Sequence, residues 1–196
     1  MYEVIGSPTS RAFRVVWMLE ELGQPYKLSP EKPHSEVVSA LNPSGKIPIL
    51  KDGDAAIIDS TAILTYLADK HGKLTYPAGT IERAHQDSFT QQILDEMEAG
   101  LWTASRHNFI LPEERKVPAV KETLMWEYSR GLKNVLRRRQ GTYLMGEEIT
   151  VPDILLTHCA TWAKFEGFPT DNEELLGYIK VTRGREAFQR LLPKKT

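Results

Sequence analysis

Three hydroxyl side chains, Ser7, Thr9 and Ser10, lie close together between a short apolar run and a helical pattern. Residues 2–5 predict a strand, and from Ala12 onward apolar side chains recur at helical spacing. The amides of a helix's first turn favour negative charge on whatever binds beside them. A hydroxyl cannot take part in dithiol redox chemistry, but it can donate a hydrogen bond to an anion such as a thiolate. The pattern therefore predicts a site at which hydroxyls and helix amides stabilise a negatively charged group on another molecule.

The elements around these hydroxyls alternate between strands and helices. Residues 25–28 predict a second strand, and a loop with a weak helix ends at Asn42-Pro43-Ser44-Gly45. Residues 47–50 and 55–58 flank an Asp-Gly-Asp turn, which predicts a hairpin. Ser60 follows the hairpin as a good N-cap, and it opens a helix with an apolar inner face.

Strand signals are absent from the second part of the chain. Long helical patterns, separated by proline and glycine, cover approximately 81–107, 113–139, 151–165 and 173–191. We therefore expect an α/β domain over residues 1–73, a linker over 74–80 and an all-helical domain over 81–196.

Composition narrows the classes of function. The chain has 196 residues, 25 of them basic and 26 acidic, and its formal net charge of -1 favours neither nucleic acid nor an anionic membrane. No apolar run approaches the length of a membrane span and no signal peptide is evident, so we expect a cytoplasmic protein. The single cysteine, Cys159, rules out an internal disulfide and a multi-cysteine metal site.

The chain resembles the cytosolic glutathione S-transferases over essentially its whole length. The motifs that carry the resemblance are Ser7-Pro8-Thr9-Ser10-Arg11, Asn42-Pro43-Ser44-Gly45-Lys46-Ile47-Pro48, Asp59-Ser60 and Thr150-Val151-Pro152-Asp153-Ile154. It is most similar to serine-type and bacterial members, because Ile5-Gly6 stands where tyrosine-type members carry a tyrosine. The resemblance implies a thioredoxin-like α/β domain, an all-α helical-bundle domain, glutathione as co-substrate, no metal and a homodimer.

The resemblance also assigns roles to the motifs of the first domain. It implies a cis peptide bond before Pro48, which turns the peptide groups of Ile47 outward to pair with the cysteinyl unit of glutathione. It implies that Ser60 and nearby helix amides hold the γ-glutamyl α-carboxylate, while Asp59 faces the ammonium. From the residues alone, Pro48 is equally an ordinary edge-strand proline.

Lys46 and His34 are candidates for contact with the glycyl carboxylate. Lys46 lies two residues before Pro48, and His34 lies in the loop where some family members bind glutathione. A solvated surface side chain is the alternative for each of them.

Ser7 is the main candidate for catalysis. A hydroxyl donor beside the sulfur, together with the first helix amides, would lower the pKa of the glutathione thiol. Thr9 and Ser10 remain open for the same task, because a one-residue shift of the turn exchanges their directions. Ser10 is also a candidate N-cap of the first helix.

In the helical domain, four side chains fall where the family binds its electrophile. They are Trp102, Arg106, His107 and Phe109, and ordinary helix packing is the alternative for each.

Thr150 and Asp153 predict a capping box at the start of a buried helix. His158 and Cys159 lie within that helix and are interpreted as packing residues, because adjacent positions face different sides of a helix.

The sequence therefore predicts a glutathione transferase that attacks small hydrophobic electrophiles in detoxification. The alternatives within enzymes are a glutathione-dependent isomerase and a peroxidase. The alternative outside enzymes is a relative that binds ligands or proteins without catalysis.

Overall fold

A computed structural model describes residues 1–193. The chain forms two compact units, of which one contains Met1–Ala78 with residues 184–193 and the other contains Gly79–Arg183. The first unit is a four-stranded sheet with helices and the second is helical, which confirms the predicted fold class.

The sheet of the first unit has four short strands, β1 (Tyr2–Ile5), β2 (Tyr26–Ser29), β3 (Ile49–Asp52) and β4 (Ala55–Ile58). Their order in the sheet is β2-β1-β3-β4. β1 pairs parallel with β2 and antiparallel with β3, and β3 pairs antiparallel with β4. The predicted hairpin is present, and its first strand begins at Ile49, two residues later than expected.

The helices α1 (Ala12–Leu22), α2 (Glu36–Leu41) and α3 (Ser60–His71) bury apolar faces in this unit. Val38 of α2 packs with Ile5 and Ile49, which are paired on neighbouring strands. Side chains alternate along a strand, so Val4 and Leu50 point to the opposite face, and both are fully buried. α1 and α3 contact each other, and each of them contains fully buried apolar residues.

A short last helix, α9 (Glu186–Arg190), belongs to the α/β unit. Its Phe188 packs against the rings of Phe13 and Trp17, with centroids 5.3 and 4.9 Å away. Arg185 donates to both carboxylate oxygens of Glu21, at 2.7 and 2.8 Å. The prediction instead placed these residues in the helical domain over 81–196. The α1 residues that hold α9 lie far away in sequence, so a local pattern could not indicate the contact. Residues 194–196 lie outside the described residues.

The helical unit follows the predicted patterns with shifted ends. Its helices are α4 (Ile81–Ile93), α5 (Ala99–Ser105), α6 (Val120–Arg137), α7 (Val151–Glu166) and α8 (Glu173–Arg183). π-helical turns follow α4 at Leu94–Glu98 and α5 at Arg106–Ile110, and a short 3-10 turn covers Glu113–Arg115.

Two expected helices of this unit are shorter than their patterns. The pattern from residue 113 becomes helical only at Val120, after Pro118, and a proline disfavours helical geometry in the residue before it. The pattern over 173–191 divides after Arg183, where Gly184 and an extended Arg185 separate α8 from α9.

The buried helix α7 begins with the predicted capping box. The Asp153 carboxylate accepts from the N–H and the hydroxyl of Thr150, each at 2.8 Å. Its other oxygen accepts from the Leu144 N–H at 2.8 Å and the Tyr178 hydroxyl at 2.7 Å. Burial raises the pKa of the Asp153 carboxyl, and these hydrogen bonds oppose the rise. Asp153 therefore fastens a loop and α8 to the start of α7.

Candidate functional site

Three segments meet at one end of the sheet. Ile5 pairs with Ile49 and Ile49 pairs with Ile58, so the chain leaves β1, enters β3 and leaves β4 at the same edge. Since α1 follows β1 and α3 follows β4, the N-termini of both helices begin there. Helix N-termini carry partial positive charge, which favours an anionic ligand at this edge.

The turn between β1 and α1 carries the three predicted hydroxyls. Ser7 Oγ lies 2.8 Å from Thr9 Oγ1, and either oxygen can be the donor. Ser7 Oγ also accepts from the Thr9 N–H at 3.3 Å. The geometry therefore leaves one hydroxyl proton of this pair able to point elsewhere.

The Ser10 hydroxyl is engaged in both directions. It donates to the Ser7 carbonyl at 2.7 Å and accepts from the Ala12 N–H at 3.1 Å. The N-cap of α1 is Arg11, so the prediction that Ser10 is the N-cap was wrong by one position. Ser10 still accepts from the first amide of the helix, that of Ala12. Its proton is already used within the turn, which distinguishes Ser10 from Ser7.

The Ile47–Pro48 peptide bond is cis, as the resemblance implies. Within residues 1–193, the N–H and C=O of Ile47 make no hydrogen bond to other backbone groups. The turn after β1 approaches this segment closely because Gly6 has no side chain. A Cβ on Gly6 would lie only 3.1 Å from the Cβ of Ile47. The peptide groups of Ile47 therefore remain available beside the Ser7 turn.

Asn42 shapes the loop before the cis bond. It is buried, accepts from the N–H and hydroxyl of Ser44, and donates to the Lys46 carbonyl at 2.8 Å.

His34 has a positive φ of 63°, and its N–H donates to the Gly45 carbonyl at 2.8 Å. A Cβ on Gly45 would collide with the His34 ring, 2.0 Å from Nδ1. The two predicted candidates Lys46 and His34 thus lie on the same loop system, and both are exposed.

Asp59 caps α3, although the sequence analysis predicted Ser60 as the N-cap. Its Oδ1 accepts from the amides of Thr61 at 2.9 Å and Ala62 at 3.1 Å, and Ser60 is the first residue of the helix. Asp59 has φ 70°, a conformation that costs energy for a residue with a side chain. Its Oδ2 accepts no hydrogen bond within the described residues. Those two helix amides are therefore occupied, and one carboxylate oxygen is not.

Arg14 is a residue of this site that the sequence analysis missed. It lies on α1 and is fully buried, and its Nη1 donates to Ser60 Oγ at 3.2 Å. The available signal was an arginine among the inward-facing positions of an apolar helix, where a charge is rarely buried without a partner.

In the helical unit, Trp102 and Arg106 contact each other. The Arg106 guanidinium lies 6.0 Å from the Trp102 ring centroid and donates to Thr103 Oγ1 at 3.0 Å. Phe109 lies in the second π-helical turn and is 65% exposed. His107 accepts from the Val117 N–H at 3.0 Å through Nδ1.

A buried carboxylate, also missed by the sequence analysis, fixes this part of the helical unit. Glu166 accepts a short hydrogen bond from Ser105, and further bonds from Asn108 at 3.2 Å and the Trp162 indole at 3.4 Å. Ser105 directly precedes the second π-helical turn and Asn108 lies within it, so Glu166 fixes the start and the middle of that turn.

His158 and Cys159 lie in α7 as predicted. Cys159 is fully buried, with its thiol 3.8 Å from Glu98 Oε2, and the His158 ring packs against Trp162.

Among residues 1–193, no helix combines the length and apolar character that crossing a membrane requires. Nor do three His, Cys, Asp or Glu side chains of these residues cluster as metal ligands would.

Comparison with known proteins shows which families the sequence and the fold resemble. The N-terminal domain of glutathione S-transferases matches residues 1–75. Elongation factor 1-gamma 1 of Oryza sativa subsp. japonica is 31% identical over 139 residues, which cover 67% of this chain and 31% of that protein. The chain thus spans about a third of the length of this relative.

Two other relatives cover most of both chains. A glutathione transferase homologue from Lodderomyces elongisporus, solved with two GSH per subunit, has the same fold with a TM-score of 0.84 at 24% identity, covering 97% of this chain and 96% of that one. Glutathione S-transferase 1 of Triticum aestivum is 30% identical over 174 residues, covering 78% of this chain and 75% of that protein. The chain therefore belongs to the glutathione S-transferase family.

Proposed function

We propose that this chain is a serine-type glutathione transferase that activates the thiol of glutathione for attack on small hydrophobic electrophiles. The observation that carries the proposal is the convergence of Ser7, Ile47 and Asp59 at one sheet edge. Each of these residues has hydrogen-bonding capacity that the described residues leave unused.

Each part of glutathione matches a group at this edge of the sheet. The N–H and C=O of Ile47 pair with the cysteinyl backbone as an added strand would. Asp59 Oδ2 accepts from the γ-glutamyl ammonium, and the Ser60 hydroxyl donates to the γ-glutamyl carboxylate. The exposed Lys46 and His34 receive the glycyl carboxylate.

Ser7 is the proposed thiol-activating residue. When Thr9 donates to Ser7 Oγ, the Ser7 proton is available for the sulfur, and this hydrogen bond favours the thiolate. The Ser10 proton is held by the Ser7 carbonyl, which supports Ser10 as a structural residue of the turn. The thiolate then forms a carbon–sulfur bond, while the electrophile releases its leaving group or accepts a proton.

The remaining parts of the proposal rest on resemblance to the family. Trp102, Arg106 and Phe109 contact the electrophile, and the enzyme acts as a cytoplasmic homodimer in detoxification without a metal. The partly exposed indole of Trp102 and the exposed ring of Phe109 are suited to an apolar substrate.

Calorimetric titration with glutathione, followed by turnover of a panel of electrophiles, tests the function. We expect glutathione to bind and at least one halogenated aromatic substrate to be conjugated. The panel includes a hydroperoxide and an isomerisable unsaturated ketone, which separate the peroxidase and isomerase alternatives. Absence of glutathione binding by a folded protein would contradict the proposal.

A second candidate function is protein binding without catalysis. The similarity to elongation factor 1-gamma 1 favours it, because that protein's name describes a translation factor and not a transferase. Glutathione binding without turnover of any substrate in the panel would favour this alternative.

A further inference from the structure

We propose that Arg14 is a positioning residue that directs the Ser60 hydroxyl proton toward the γ-glutamyl carboxylate of glutathione. The inference rests on the proposed function, and it adds a residue from inside α1 to the recognition of the ligand.

The contact itself is specific and buried. Arg14 is fully buried, Ser60 is 3% exposed, and Arg14 Nη1 lies 3.2 Å from Ser60 Oγ. Arg14 is in the first turn of α1 and Ser60 is the first residue of α3, so the bond joins the beginnings of the two helices that start at the site.

The direction of this hydrogen bond decides the role of Ser60. A guanidinium only donates, so Ser60 Oγ is the acceptor and its own proton must point away from Arg14. The Ser60 hydroxyl donates no hydrogen bond to any group of residues 1–193. A serine without this arginine could turn its proton toward other groups, whereas here the proton is left for a ligand.

The surroundings select an anion as that ligand. The amides of Thr61 and Ala62 already donate to Asp59, so the Ser60 hydroxyl and N–H are the donors left at this helix start. The guanidinium behind Ser60 stays positively charged, and its buried charge is screened less than a surface charge. A carboxylate that accepts from Ser60 therefore gains a hydrogen bond at a helix start, where partial positive charge favours an anion.

A double-mutant cycle tests whether Arg14 acts through Ser60. Glutathione affinity is measured by calorimetry for the wild type, Arg14→Met, Ser60→Ala and the double variant, with a thermal melt of each. We expect each single change to weaken binding about tenfold, and the double variant to bind no more weakly than Ser60→Ala. Arg137→Met, which alters an exposed arginine of α6, is the control and should bind as the wild type does.

A ligand-side measurement repeats the test without depending on Ser60→Ala. For a glutathione analogue whose γ-glutamyl carboxylate is converted to an amide, Arg14→Met should change the affinity much less than it does for glutathione. If Arg14→Met does not fold, Arg14→Lys replaces it, because a lysine keeps the charge and loses the planar donor geometry.

The possible outcomes separate this inference from the proposed function. Equal losses from Arg14→Met with and without Ser60, or with and without the carboxylate, would overturn the role of Arg14 while leaving glutathione binding intact. A wild-type protein that does not bind glutathione would overturn both.

Discussion

Two aspartates lie at the starts of helices, Asp59 in the α/β unit and Asp153 in the helical unit. They differ in whether both carboxylate oxygens accept hydrogen bonds. Asp153 is fully buried, and both of its oxygens accept hydrogen bonds. Asp59 is exposed, holds a positive φ, and uses one oxygen for two amides while the other has no partner in the described part of the chain. A carboxylate whose bonds are complete holds a fold together, whereas one with an open oxygen can bind a ligand.

The largest effect expected from this contrast is on stability. Asp153→Ala leaves the buried donors of Leu144, Thr150 and Tyr178 without their acceptor, so unfolding free energy should fall by about 3 kcal/mol or more. Denaturant melts measure the loss. The folded fraction should keep its glutathione affinity. Lost affinity with unchanged stability would show instead that Asp153 contributes to glutathione binding.

Thr150→Ala is the matched test of the same cap. It should cost about 0.5–2 kcal/mol of stability, because the Asp153 carboxylate keeps its other donors. The double variant with Asp153→Ala should lose less than the sum of the two single losses, since both side chains serve one helix start. Additive losses would mean that the two residues act independently.

In the α/β unit the largest expected effect is on chemistry. Ser7→Ala should lower turnover by about one to three decades, because the thiolate loses a hydrogen-bond donor, with little change in glutathione affinity. Steady-state kinetics and titration separate the two quantities. If Thr9→Ala loses turnover while Ser7→Ala retains it, Thr9 is the donor to the sulfur.

Substitution of Asp59 divides its capping role from its binding role. Asp59→Asn keeps a good N-cap but removes the charge facing the ligand ammonium, so affinity should weaken by about 1–3 kcal/mol with stability nearly unchanged. Asp59→Ala should lower both affinity and stability. Asp54→Asn, in the exposed hairpin turn, is the control. Equal affinity of Asp59→Asn and the wild type would leave Asp59 with capping alone.

Within the α/β unit, the smallest effect is expected at Ser10. Its hydroxyl links the Ser7 carbonyl to the Ala12 amide, so Ser10→Ala should cost about 0.5–2 kcal/mol of stability as a lost cap. Turnover per folded molecule should stay within a few-fold of the wild type. A loss as large as that of Ser7→Ala would identify Ser10 as the activating hydroxyl.

The sequence predicted best where local rules decide the structure. The capping box of Thr150 and Asp153 follows from residue types at a fixed spacing, and the structure has it as expected. The hairpin and the strand–turn–helix around Ser7 likewise need only local periodicity and turn residues. Helix ends near Pro118 and Gly184 shifted, because turn residues interrupt patterns that are otherwise helical.

The sequence could not supply contacts between distant residues. Asp59 and Ser60 are both capping residues by type, and only the backbone at Asp59 decides that it caps while Ser60 turns to Arg14. The packing of Phe188 on α1 joins positions more than 170 residues apart, which no local pattern encodes.

The sequence by itself determined the order of elements, the family motifs and the hydroxyls of the first turn, because these depend on neighbouring residues. Only the tertiary structure decided which hydrogen-bonding groups were used up and which were left open at the sheet edge. That distinction depends on contacts between distant segments: Arg14 donates to Ser60, whereas the peptide groups of Ile47 and one oxygen of Asp59 make no hydrogen bond within the described residues. A buried polar group must be satisfied by something, and the fold determines whether that is another residue or a ligand.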